Sequence, residues 1–146
     1  IAKHFGAISA TKEIWDASFE QACVKAKPNP DFVKGAKGQP DGTLEQQNRF
    51  DQTLGNSKTV LFRDVGKGWI LHPRIAESGA VNYGWIDPKS GKPIQSVGAR
   101  HGPNHFDYSQ TCVLVKRFGM KNGQKVDLLD EYDRAGIPRR YLDVYK

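Results

Sequence analysis

The sequence predicts an α+β fold in which two N-terminal helices pack on a mainly antiparallel sheet of four to five strands. Three observations point there. The two longer stretches of helical periodicity fall within the first 54 residues. Beyond Asn56, short segments rich in β-branched and aromatic residues are separated by Gly, Pro, Asn and Ser. The helices precede the strands as a block, which argues against alternating βαβ units.

Residues 11–25, TKEIWDASFEQACVK, place Trp15, Phe19, Ala22 and Cys23 at the spacing of one buried helix face. The KPNP that follows ends the helix, because a residue before proline is driven out of helical geometry. Residues 28–42 form a long loop dense in Pro, Gly and Lys, anchored by Phe32 and Val33, and its length marks it as either functional or mobile. Thr43 and Gln46 then make a capping box for a second helix over 44–54, with Leu44, Phe50 and Leu54 on one face and Gly55 at its end. Five β-like segments follow: TVLFRDV, GWILHPRI, AVNYGWID, KPIQSVGA and FDYSQTCVLVKRF. DPKSGK and GMKNGQK supply turns, since Pro suits an early turn position and Asn-Gly accepts positive φ. A short helix at about 126–133 and an extended tail, RRYLDVY, complete the chain.

A chain of 146 residues suits a single globular domain over 1–146, large enough to fold without metal or disulfide support. Its net charge of +6 favours anionic partners: an anionic polymer or glycan, a lipid headgroup, or, with less support, nucleic acid. The basic residues are scattered rather than massed. No apolar run reaches signal or transmembrane length. The chain opens on Ile1, which reads either as a mature processed protein or as a fragment of something longer, and a processed, extracytoplasmic protein is the favoured expectation. Cys23 and Cys112 show no metal spacing and are expected either as two buried thiols or as one disulfide across the helix–sheet interface.

Chemistry concentrates in GARHGPNHFDYSQTC, residues 98–112. His101, His105 and Asp107 read H-x3-H-x-D around a Gly-Pro kink, a ligand set suited to a divalent metal such as zinc. The same segment could run acid/base chemistry, with His101 as base, Asp107 orienting it, Ser109 nearby, and Arg100 or Tyr108 stabilising developing negative charge. The bland alternative is a polar turn in which Asp107 and Ser109 bond backbone amides. Two look-alikes are set aside. RHG matches the centre of a histidine-phosphatase signature but lacks the large α/β domain behind it, and GKGW lacks the G-x-x-x-x-G-K-[ST] of a phosphate loop. Trp69, Tyr83 and Trp85 could form an aromatic platform, with the sheet core as the competing reading. Arg63 with Asp64, or the acidic group Asp127, Asp130, Glu131 and Asp133, could gather ligands or a cation, although the acidic group also reads as a solvated helix face.

The string VNYGWIDPKSGKPIQSVGARHGPNHFDYSQTCVLV resembles a pattern in uncharacterised exported bacterial proteins: Y-G-W-H, then D-G-x-P-I-Q, then G-H, then D-Y-S-H-G. The likeness runs from Tyr83 to Val115, more loosely through IWDA and HPRIAE. Two family His positions fall on Ile86 and Gln110, while His101, Asp107, Tyr108 and Ser109 keep their places. The resemblance implies an extracytoplasmic or secreted setting and no assigned mechanism. Three functions follow as expectations. The first is a hydrolase-like domain acting on a cell-wall or other anionic polymer. The second is a non-catalytic structural or binding subunit of an envelope or virion-like assembly, which the losses at Ile86 and Gln110 favour. The third is a small basic nuclease using His101, His105 and Lys116.

Overall fold

The computed structural model describes residues 2–28, 39–56, 62–63, 66–105 and 109–146. A 3-10 turn, Ala2–Phe5, leads into β1 (Ala7–Ser9), α1 (Lys12–Glu20) and β2 (Val24–Lys25). Helix α2 (Gln39–Leu54), β3 (Phe62–Arg63), β4 (Lys67–Trp69) and the short α3 (Ile75–Ser78) follow. Next come β5 (Asn82–Ile86), β6 (Pro93–Gly98), β7 (Gln110–Cys112), β8 (Leu114–Lys116), β9 (Phe118–Lys121) and β10 (Gln124–Asp127). The chain ends with α4 (Leu128–Arg134), α5 (Arg139–Leu142) and a 3-10 turn, Asp143–Tyr145.

Among the described residues the fold is α+β, but its arrangement differs from two helices laid on one antiparallel sheet. The main sheet runs β6-β5-β4-β7, and three further strand pairs, β1 with β8, β2 with β3, and β9 with β10, stand apart from it. Strand β7 lies parallel to β4 at the far edge of the sheet and does not extend the β5–β6 hairpin. A strand, β1, precedes the first helix. Helix α1 packs on β5. Helix α2 has no such seat: Leu44 is 64% exposed, and Phe50 and Leu54 are only half-buried. Its composition, QPDGTLEQQNRFDQTL, leaves too narrow an apolar stripe to cover a sheet.

Local expectations met mixed outcomes. Helix α1 buries Trp15 and Phe19 but stops at Glu20, so Ala22 and Cys23 lie beyond it. Helix α2 begins at Gln39, which places Thr43 inside it rather than at its cap and shortens the predicted loop. Most of that loop, with Phe32 and Val33, lies outside the described residues. Gly55 does end α2, with φ 51° and its amide donating to the Asp51 carbonyl. The Asn122-Gly123 turn joins β9 and β10 with both residues at positive φ. In the other hairpin, the Asp87 carboxylate accepts from the Lys89 amide and the Ser90 hydroxyl. The tail is helical where extension was expected, because Ile137 and Leu142 enter the core at 2% exposure each.

That core is built around Trp15, which is fully buried. Its indole lies where side chains of Gly68 and Gly84 would be: a Cβ on Gly84 would come within 2.6 Å of the ring, and one on Gly68 closer still. Gly84 has φ 110° and Trp85 φ 58°, so β5 loses strict alternation, and its register with β6 shifts between Asn82 and Gly84. All five β5 residues are buried. The two chain ends close on this core: the Tyr145 hydroxyl hydrogen-bonds with Ser9 Oγ at 2.8 Å, and the Tyr132 hydroxyl donates to the Ser9 carbonyl at 3.4 Å.

Cys23 and Cys112 are free thiols, both exposed. The predicted disulfide is not formed, since neither cysteine faces the buried interface that was to bring them together. Thiol titration of the native, unreduced protein is expected to find two reactive groups; finding none would restore the bridge. Gly68→Ala forces a methyl group into the indole and is expected to lower stability by roughly 3 kcal/mol, the upper range of overpacking. Trp15→Ala is expected to cost roughly 3–5 kcal/mol. Urea unfolding midpoints check both, and a Gly68→Ala variant of wild-type stability would contradict the packing described.

Candidate functional site

The turn His72-Pro73-Arg74 starts the site. The Ile75 amide donates to the His72 carbonyl, launching α3, and Gly79 closes that helix in the left-handed conformation. The Arg74 guanidinium forms a two-point contact with Glu77, Nε to Oε1 at 2.8 Å and Nη2 to Oε2 at 2.9 Å. Its Nη1 donates to the Val97 carbonyl of β6 at 3.2 Å. Hydrogen bonds from Arg74 hold the Glu77 carboxyl below the usual carboxylate range. The Arg74 amide donates to His72 Nδ1 at 3.1 Å, which requires that nitrogen to be unprotonated.

Opposite Arg74, the chain leaves β6 through Ala99 and enters the polar segment. The His105 amide donates to the Gly102 carbonyl at 3.1 Å, closing a turn with Pro103 at its second position. Pro103 packs beside Gly79, which ties this turn to the end of α3. The turn brings His101 and His105 together with rings stacked, centroids 3.8 Å apart and planes within 9°. A cleft of about 320 Å³ opens here, lined by Arg74, Gln95, Ser96, Gly98, Arg100 and His101 among others. Arg100 and His101 are exposed. Behind the cleft wall, Asn82 pairs in register with Gly98, is 1% exposed, and has no hydrogen-bond partner for either amide atom among the described residues.

Of the predicted site residues, Arg100, His101 and His105 are therefore brought together. Asp107 and Tyr108 lie outside the described residues. Ser109 is buried, and its carbonyl packs against Gly66. Imidazole lone pairs lie in the ring plane, and zinc sits about 2.0–2.1 Å from its nitrogens. Face-to-face rings do not converge on one ion, and no metal-capable cluster of three ligands occurs among the described residues.

The aromatic platform does not form. Trp69 stands opposite Asn82 and Tyr83 opposite Gly68, so the two rings lie on opposite faces of the sheet. Tyr83 and Trp85 are 3% and 4% exposed, and the Tyr83 hydroxyl donates to Asp16 Oδ1 at 2.6 Å. Trp69 instead lines a separate cavity of about 220 Å³ with Ser9, Leu71, Ile75, Val81 and Tyr145. Arg63 is 5% exposed, its guanidinium 4.2 Å from the Trp15 ring centroid and bonded to Ser18 Oγ at 2.7 Å. It supports the core rather than a ligand, and Asp64 lies outside the described residues.

The C-terminal carboxylates face cations of the chain itself. Asp127 caps α4 and pairs with Arg117, Glu131 meets Lys121 and Arg134, and Asp133 meets Arg139. Lys116, on β8, lines no part of the His101 cleft. Sequence reasoning missed Arg74 and the β6 residues of the cleft. The signal available was Pro73-Arg74 after an apolar strand, which marks a turn that presents a guanidinium. No family model, curated protein or solved structure matches the chain.

Burial, opposed by Glu13 and aided by Arg74, pushes the His72 imidazole below its ordinary value of 6.5. A depressed value means that the unfolded chain binds the proton first as pH falls. The stability contributed by neutral His72 is therefore complete above that ordinary value and is lost as pH drops below it. Wild type is expected to lose more stability than His72→Asn between about pH 7.5 and pH 5, the span in which histidine titrates. Identical losses in paired urea titrations would contradict the assignment.

Proposed function

We propose that this chain binds a linear anionic polymer in the cleft between α3 and the 99–105 turn. One observation carries the reading: Arg74, Arg100 and His101 converge on a single polar cleft beside an edge strand. Arg74 is oriented by Glu77, which also offsets its charge, so it acts as a fixed donor rather than as free charge. Arg100 has no ion pair among the described residues and supplies uncompensated charge. Gln95 and Ser96 add polar groups to the wall. The resemblance to exported bacterial proteins supports an extracytoplasmic place of action, where such polymers occur.

A hydrolase acting on the same polymer is the second reading. It is favoured by the exposure of His101 on the cleft, which sets a proton acceptor beside the bound anion. Fragment release from the polymer by wild type, abolished in His101→Ala, would separate it from binding alone.

Long-chain polyphosphate serves as the probe. Arg100→Glu is expected to weaken binding by about tenfold or more, the weight of one charge-assisted hydrogen bond, and to leave the unfolding midpoint unchanged. Affinity should fall as salt rises, and less steeply in the variant. Titration calorimetry reads both, and equal affinities for wild type and variant would overturn the reading.

A further inference from the structure

We propose that strand β6 carries a second anion subsite at its other end, so that one extended anionic polymer lies along the strand across both. The inference rests on the cleft reading above and extends it to the shape of the ligand.

A second cavity, of about 490 Å³, opens where β6 begins, lined by Lys27, Asp87, Lys89, Lys92, Pro93 and Ile94 among others. The one carboxylate there is already engaged. Asp87 accepts from the Lys89 amide at 3.1 Å and from Ser90 Oγ at 2.9 Å, and these bonds, with the charge of Lys27, hold it below the usual carboxylate range. The three lysine ammonium groups have no hydrogen-bond or ion-pair acceptor among the described residues. The cavity thus sets three ammonium groups against one carboxylate and carries net positive charge.

Strand β6 joins the two cavities. Pro93 and Ile94 wall one, and Gln95 to Gly98 wall the other. At about 3.4 Å per residue, Pro93 and Gly98 stand about 17 Å apart, a span for an extended chain rather than for one compact anion. As the outer strand of the sheet, β6 has no strand paired on its other side among the described residues. An added peptide strand is the poorer occupant. Arg74 Nη1 already holds the Val97 carbonyl, and Gln95 Nε2 holds the Ser96 carbonyl at 2.8 Å. Side chains thus hold backbone acceptors that a pairing strand would use. A polymer held through its charges needs none of them.

The test compares tripolyphosphate with long-chain polyphosphate on wild type, Arg100→Glu and the double variant Lys89→Glu/Lys92→Glu. Both lysines lie on an exposed turn, so the double variant is expected to keep the wild-type unfolding midpoint. Two subsites bridged by one chain gain affinity through effective concentration. Wild type is therefore expected to bind the long chain at least about tenfold more tightly, per molecule and after correction for the number of binding frames, than the short one. The double variant should lose that gain while keeping the Arg100-dependent binding of tripolyphosphate. A gain that survives Lys89→Glu/Lys92→Glu, or no gain at all, overturns the two-subsite inference and leaves the single cleft standing. Absence of binding by either probe overturns the cleft reading itself.

Discussion

The fold depends on one packing event, the seating of the Trp15 indole against strands β4 and β5 where Gly68 and Gly84 leave room for it. Glycine within a strand costs roughly 0.5–1 kcal/mol each in lost propensity. Burying an indole returns more, roughly 4–6 kcal/mol by area, so the exchange favours the folded chain. The consequences spread outward. The Arg63 guanidinium is accepted into the interior because it lies over the ring and reaches Ser18 on the next turn of α1. The Tyr83 hydroxyl meets Asp16, the residue after Trp15, so helix and strand are locked by a polar contact beside the apolar one. Asp16 is also held by Lys12 at 2.6 Å.

Much of the local structure was legible because it depends on short-range chemistry. The burial of Trp15 and Phe19, the Asp87 and Asn122-Gly123 turns, and the end of α2 at Gly55 each follow from a few neighbouring residues. The arrangement of elements was not legible. Nothing local says that β7 lies beside β4, nor that β1 waits for β8 more than a hundred residues later. The tail misled for a related reason: RRYLDVY has a β-like composition, yet Leu142 finds its place in the core only as part of a helix. In β5, positive φ at Gly84 and Trp85 breaks the alternation of the strand, which no local pattern in the sequence announces. A bulky residue in that region is unfavourable, and only the surrounding sheet makes it tolerable.

Of the candidate site, the sequence displayed the residues and hid their surroundings. H-x3-H signalled two imidazoles on one side of a turn, and the turn does bring them together, but as a stacked pair rather than a chelating one. The partner that makes the place a cleft, Arg74, comes from a separate turn, joined to this segment by the packing of Pro103 on Gly79 and by the hydrogen bond from Arg74 Nη1 to the Val97 carbonyl. Charge followed the same logic. The surplus of +6 is a property of the whole chain, whereas its placement depends on where the carboxylates are used. Asp127, Glu131 and Asp133 are absorbed by Arg117, Lys121, Arg134 and Arg139 around α4 and α5. Lys27, Lys89, Lys92 and Arg100 are left without ion pairs among the described residues, and all four line the cavities beside β6.

That placement answers a structural need as well as a functional one. An open edge strand is a template for unwanted pairing with another chain, and charged side chains along the edge are a common defence. Arg74 and the lysines at the β5–β6 turn serve that purpose whether or not a ligand is present. The defence works by making the edge attractive to water and to counter-ions rather than to peptide backbone. The lysines of this row, unlike Arg74 with its Glu77 partner, have no ion pair among the described residues, and such charge favours a linear polyanion for the same electrostatic reason that it repels a second copy of itself. Protection of the edge and the proposed recognition of a polymer therefore draw on the same charges, and Lys89 and Lys92 serve in both.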